Sequence, residues 1–105
     1  MASIPVEIEM KIRRYLDALQ KNNIKIKKAI LFGSYTKGVY DKWSDIDIAL
    51  VSDVFQGDRL EDKKKIRKIT IQIGSDIEPI PFNPADFTED DPFVKEIMMT
   101  GVEIS

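Results

Sequence analysis

Ile8, Ile12, Leu16 and Leu19 recur at helical spacing, with Glu7, Glu9, Arg13 and Asp17 between them. This pattern predicts an amphipathic helix that starts around Ser3 and Pro5 and ends near Asn22-Asn23. The stretch from Ile24 to Phe32 first alternates with lysines and then turns wholly apolar at Ala29-Ile30-Leu31-Phe32, as a strand does on entering a sheet interior. After Gly33, residues 34–39 have room for a short helix before Gly38 stops it, and Tyr40 to Ser44 form a loop into a second apolar strand, Asp45 to Val51. Arg59 to Ile73 carries Leu60, Ile66, Ile69 and Ile73 among charged neighbours and reads as a second long helix, with β-branched residues blurring its end.

Asp76 to Phe82 is a third strand, which the prolines at 79 and 81 assign to a sheet edge or a strand end. An acidic, proline-containing loop follows from Asn83 to Pro92. A final helix, Phe93 to Thr100, stops at Gly101, and Val102-Glu103-Ile104 can add a short terminal strand. The expected fold is α/β (α+β), a small mixed β-sheet flanked by helices, with residues 1–105 as one domain.

Composition narrows the chemistry. With 43% hydrophobic and 32% charged residues the chain reads as a soluble globular protein, and a net charge of −2 gives no broad basic field for a polynucleotide. Histidine and cysteine are both absent, which removes imidazole bases, thiol nucleophiles, disulfides and the usual zinc sites. Any reaction must use carboxylates, hydroxyls, amines and a metal. No apolar run approaches the ~20 residues needed to span a bilayer, and the N-terminus lacks a secretory core, so a cytoplasmic location is expected.

The candidate chemistry lies in two linked words. Gly33-Ser34 closes the first apolar strand, and Asp45-Ile46-Asp47 opens the second after ten intervening residues. In a strand, Asp45 and Asp47 project to one side and Ile46, Ile48 and Leu50 to the other. Two adjacent carboxylates repel unless a cation lies between them, and hard divalent ions, magnesium above all, suit oxygen ligands. Gly33 lets the backbone approach a ligand closely, and Ser34 can open a helix whose free N–H groups attract phosphate. Lys37 lies one turn after Ser34, where its ammonium could meet a phosphate or simply be solvated. Tyr40 and Trp43 could stack on a base or pack beneath their loop. The Lys63-Lys64-Lys65 run reads most simply as a solvated helix face.

Leu31-Phe32-Gly33-Ser34, Lys37-Gly38, Ser44-Asp45-Ile46-Asp47-Ile48 and Ile77-Glu78-Pro79-Ile80 together resemble the signature of the polymerase-β-like nucleotidyltransferase superfamily. The resemblance covers roughly residues 26–82 and is closer to its small prokaryotic branch, the minimal nucleotidyltransferases (MNT). It implies the polymerase-β-like nucleotidyltransferase fold, ATP as substrate and two magnesium ions. Asp45 and Asp47 would be metal ligands, with Glu78 as the third carboxylate and Asp76 its competitor. Gly33, Ser34 and Lys37 would form the triphosphate side. The resemblance further implies a HEPN-domain protein as partner, in a toxin–antitoxin pair whose nucleotidyltransferase adds AMP to the toxin. Two alternatives stay open: a binding module that neutralises its partner by contact alone, and a small-molecule modifier of the aminoglycoside type. Phe82, Phe87, Phe93, Val94, Ile97 and Met98 are more large apolar residues than a loop-rich C-terminal part needs, and are expected to leave a docking surface exposed.

Overall fold

The computed structural model describes residues 4–41 and 43–104. Ser3, expected at the first helix start, lies outside them. Helix α1 spans Val6–Lys21 and is followed by strand β1 (Lys28–Phe32), a one-turn helix α2 (Ser34–Lys37) and strand β2 (Ile46–Val51). Helix α3 (Arg59–Ile73), strand β3 (Ile77–Phe82), a single 3₁₀ turn (Pro84–Asp86), helix α4 (Pro92–Thr100) and strand β4 (Val102–Glu103) complete the order. The strands form one mixed sheet, β3-β2-β1-β4. β1 pairs antiparallel with β2 and β4, and β2 pairs parallel with β3.

Strand alternation divides the apolar residues between two faces. One carries Leu31, Ile46, Ile48, Leu50 and Ile77 and packs against Ile12, Tyr15 and Leu19 of α1 and Ile66 and Ile69 of α3. The other carries Ile30, Ala49, Val51 and Phe82 and is covered by Val94 and Ile97 of α4. The C-terminal docking expectation is met only in small part. Phe82, Val94 and Ile97 are buried, Phe87 and Phe93 are half-buried, and only Met98 of the expected set is exposed. Those residues are needed to cover the second sheet face, which the sequence pattern alone did not reveal.

Several boundaries differ from expectation for local reasons. The first strand starts at Lys28, not Ile24, because its partner ends at Val51 opposite Lys28; the Lys27 N–H donates to the Val51 carbonyl, and the chain before it peels away. Asn23 turns the backbone at φ 65°, and Ile24 N–H donates back to Leu19, so the segment closes α1. In α3, Leu60 is exposed and Asp62 is fully buried. The Asp62 carboxylate accepts from the N–H groups of Gln56 and Gly57 at 2.9–3.1 Å and from Lys65 at 3.3 Å. That anchor fixes the helix rotation so that 62, 66, 69 and 73 face inward and 60 faces out. The prolines do mark an edge. Ile46 N–H donates to the Asp76 carbonyl and Ser52 N–H to the Phe82 carbonyl, so the even positions of β3 face β2 and Pro79 and Pro81 face the open side.

Candidate active site

The pairing registers align the strands into rows across the face that α4 covers. Phe82 and Val51 stand opposite each other in one row, and Ile80, Ala49 and Ile30 make the next. The row beyond the cover of α4 is Glu78, Asp47 and Phe32. Alternation places all of these side chains on the same face, so the apolar layer ends in a row containing two neighbouring carboxylates. Asp45 lies just ahead of β2, exposed, where the sequence had placed it inside the strand. It remains close enough to act on its neighbour. Burial, then Asp45, then Glu78 raise the Asp47 carboxyl above its ordinary value.

Gly33 is what lets Asp47 lie where it does. It is the N-cap of α2 with φ 78° and ψ −147°, a conformation essentially confined to glycine. A Cβ built on it would lie 2.3 Å from Asp47 Oδ2 and 3.2 Å from Cγ, so the carboxylate is packed against the bare glycine. The two sequence words are in contact. Ser34, half-buried, opens α2, and Gly38 closes it in the left-handed conformation, its N–H donating to the Ser34 carbonyl.

The two candidates for the third carboxylate are held differently. Glu78 stands beside Asp47 in register, and its Oε1 accepts from Lys63 Nζ at 2.9 Å. Asp76 precedes β3 and is bound to Lys11 of α1 at 2.7 Å, the helix that packs on the sheet face away from the acidic row. Lys63 is the site neighbour that the sequence does not reveal: its lysine run reads as a solvated helix face, and only the packing of α3 beside β3 brings it to Glu78. Lys37 is exposed, 3.8 Å from Glu96 of α4, and lines a cleft of about 190 Å³ with Phe32, Gly33, Phe93 and Ile97. Tyr40 stacks on Tyr35 at 4.7 Å between ring centroids, while Trp43 stands 80% exposed. Two clefts therefore flank the acidic row: the small one at its Gly33 end, and a larger one of about 390 Å³ that reaches Glu78 from α3.

As the side chains lie, no three acidic groups among the described residues are gathered closely enough to enclose a metal ion. The donor chemistry nonetheless fits a hard divalent cation. Each candidate donor is a carboxylate oxygen, and Asp47 is raised first by burial and then by its acidic neighbours Asp45 and Glu78, a repulsion that a cation would relieve.

Residues 10–101 match the family model described as nucleotidyltransferase domain. This chain belongs to that family. It is similar to two proteins of Methanocaldococcus jannaschii that carry the provisional name protein adenylyltransferase. One is 31% identical over 94% of this chain and 97% of the relative. The other is 51% identical over 47 residues, 44% of this chain and 47% of the relative, so that match spans about half of the relative's length. Three solved structures share the fold. A nucleotidyltransferase, provisionally so named, from Sulfolobus solfataricus superposes with a TM-score of 0.69 at 16% identity, covering 93% of this chain and 79% of that one. A toxin–antitoxin complex with AMP-PNP gives 0.59 at 23% identity. A mutant of the toxin–antitoxin MntA–HpeT gives 0.62 at 22% identity. Each of these two covers 92% of this chain and 72% of the other.

Proposed function

We propose that this nucleotidyltransferase moves AMP from ATP to a hydroxyl on a partner protein, and that it is the antitoxin of a HEPN/MNT toxin–antitoxin pair. The observation that carries the reading is the Gly33–Asp47 contact, which joins a phosphate-side turn to an acidic row within one site. The names of the relatives support protein as the acceptor, and the two toxin–antitoxin neighbours support the partner class.

In this reading Asp45, Asp47 and Glu78 would hold two magnesium ions, whose charge would offset that of the triphosphate and make the acceptor hydroxyl more acidic. Gly33 and Ser34 face the phosphates through backbone N–H groups at the start of α2, and Lys37 adds a positive charge from the end of the same turn. The acceptor oxygen attacks the α-phosphorus, its proton passes to a carboxylate or to water, and the bond to the β-phosphate oxygen breaks to release pyrophosphate. Glu78 lies on the acceptor side because it stands at the end of the row away from Gly33. The cytoplasm, where ATP and magnesium are abundant, is the compartment that fits this chemistry.

The test is incubation with ATP labelled at the α-phosphate, magnesium and a lysate of the source organism. Label should appear on one protein with the wild-type chain and disappear with Asp47→Asn or with chelator. Equal labelling by Asp47→Asn, or label on a small molecule only, would sink the proposal.

A further inference from the structure

The larger cleft beside Glu78 is walled by Leu60, Lys63, Lys64, Arg67 and Ile71 of α3 and floored by Pro79 of β3. Leu60 and Ile71 are 69% and 63% exposed. They lie eleven positions apart on one helix face, about 16 Å along the axis, with Lys64 and Arg67 between them on the same stripe. Lys63, Lys64, Arg67 and Glu78 line this cleft. Lys63 is paired with Glu78 and exposed Lys64 with Glu61 of the same helix at 3.3 Å, so with Glu61 counted the strip keeps an excess of positive charge, while the chain as a whole carries a net charge of −2. The cleft is thus a positive strip with an aliphatic knob at each end, opening onto the acidic row.

The neighbouring sheet edge offers a partner little backbone pairing. The outward positions of β3 are 77, 79 and 81. Pro79 and Pro81 have no N–H, and Ile77 N–H is already bonded to the Gly74 carbonyl at 3.3 Å. A partner strand would find no free donor along this edge. Recognition here falls to side chains on α3.

We propose that this groove docks an acidic amphipathic helix of the acceptor protein. Apolar side chains of that helix would meet Leu60 and Ile71, and its carboxylates would meet Lys64 and Arg67. The acceptor role rests on the nucleotidyltransferase reading above; the binding itself does not. Protein is favoured over nucleic acid because no aromatic side chain among the described residues lines the groove for base stacking, whereas both ends are aliphatic.

The test uses ¹⁵N-labelled protein and two synthetic helical peptides. Each carries two leucines eleven positions apart, with glutamates between them in one and lysines in the other. The glutamate peptide should shift amide signals of Leu60, Lys64, Arg67 and Ile71, weaken with added salt, and bind roughly tenfold less tightly to the Lys64→Glu, Arg67→Glu double variant. That variant should instead bind the lysine peptide. Both substitutions are at exposed positions, so the circular dichroism and the ATP affinity of the variant should match wild type. Binding of the glutamate peptide that maps elsewhere, that is unchanged by the double charge reversal, or that is absent at millimolar peptide overturns the proposal. A single-stranded RNA dodecamer that shifts the same signals at lower concentration than the peptide also overturns it, in favour of a nucleic-acid surface. Loss of ATP binding in the wild-type chain with peptide binding intact would reject the functional reading and leave the groove standing.

Discussion

Replacing Gly33 by alanine perturbs the site at its tightest point. Two penalties combine. The first is conformational: a φ of 78° with ψ −147° costs an alanine about 1–3 kcal/mol. The second is steric: the new Cβ would stand 2.3 Å from Asp47 Oδ2 and 3.3 Å from Asp47 Cβ, so the carboxylate must rotate off its present position. At about 4–8 °C per kcal/mol for a domain of this size, the first penalty alone should lower Tm by about 4–24 °C. Displacing the carboxylate by even ~1 Å should reduce transfer by about a hundredfold. Gly38→Ala is the internal control, since Gly38 has φ 74° but nothing within 4 Å of an added Cβ. It should lose stability through strain and keep ATP affinity. A thermal-melt cycle over Gly33→Ala, Asp47→Ala and the double variant isolates the contact: without the carboxylate the alanine should cost less, with a coupling of about 0.5–3 kcal/mol. Additive effects, or Gly33→Ala behaving like Gly38→Ala in ATP binding, would refute the contact as the basis of the site.

Three further outcomes are expected. Burial, Asp45 and Glu78 hold the Asp47 carboxyl above its ordinary 3.8, so its contribution to stability is fully present below that pH and lost as pH rises through the raised value. Asp47→Asn in chelator should therefore be more stable than wild type at neutral pH and gain nothing at about pH 3; urea melts showing the variant less stable at neutral pH would make Asp47 structural. Asp62→Ala leaves the N–H groups of Gln56 and Gly57 without their acceptor and should cost about 1.5–3 kcal/mol in urea unfolding while ATP affinity is retained. Burial pushes the Tyr15 hydroxyl from 10.0 up to about 12, partly offset by its 2.6 Å hydrogen bond with Thr70. Wild-type stability should then fall by about 2–3 kcal/mol as pH rises above 10 and through 12. Tyr15→Phe should lack that fall and lose about 1 kcal/mol at neutral pH, read from the same melts.

The sequence by itself determined the order of elements, the edge position of β3 and the two words of the site. Each is a local signal. Helical and strand periodicities are written in neighbouring residues, Pro79 and Pro81 lack the donor an interior strand needs, and Gly33-Ser34 and Asp45-x-Asp47 are legible as a spaced pair. What it could not give were facts that depend on which surfaces meet. Leu60 looked like core and Asp62 like surface until the loop amides of Gln56 and Gly57 fixed the rotation of α3. The C-terminal phenylalanines looked like a docking patch because nothing in their own segment shows that the second sheet face, Ile30, Ala49 and Val51, needs them. Asp76 and Glu78 are two residues apart in sequence, yet one is paired with Lys11 from α1 and the other with Lys63 from α3. Periodicity records which side a residue faces; only packing between distant elements decides what it finds there, because that contact energy belongs to neither segment alone.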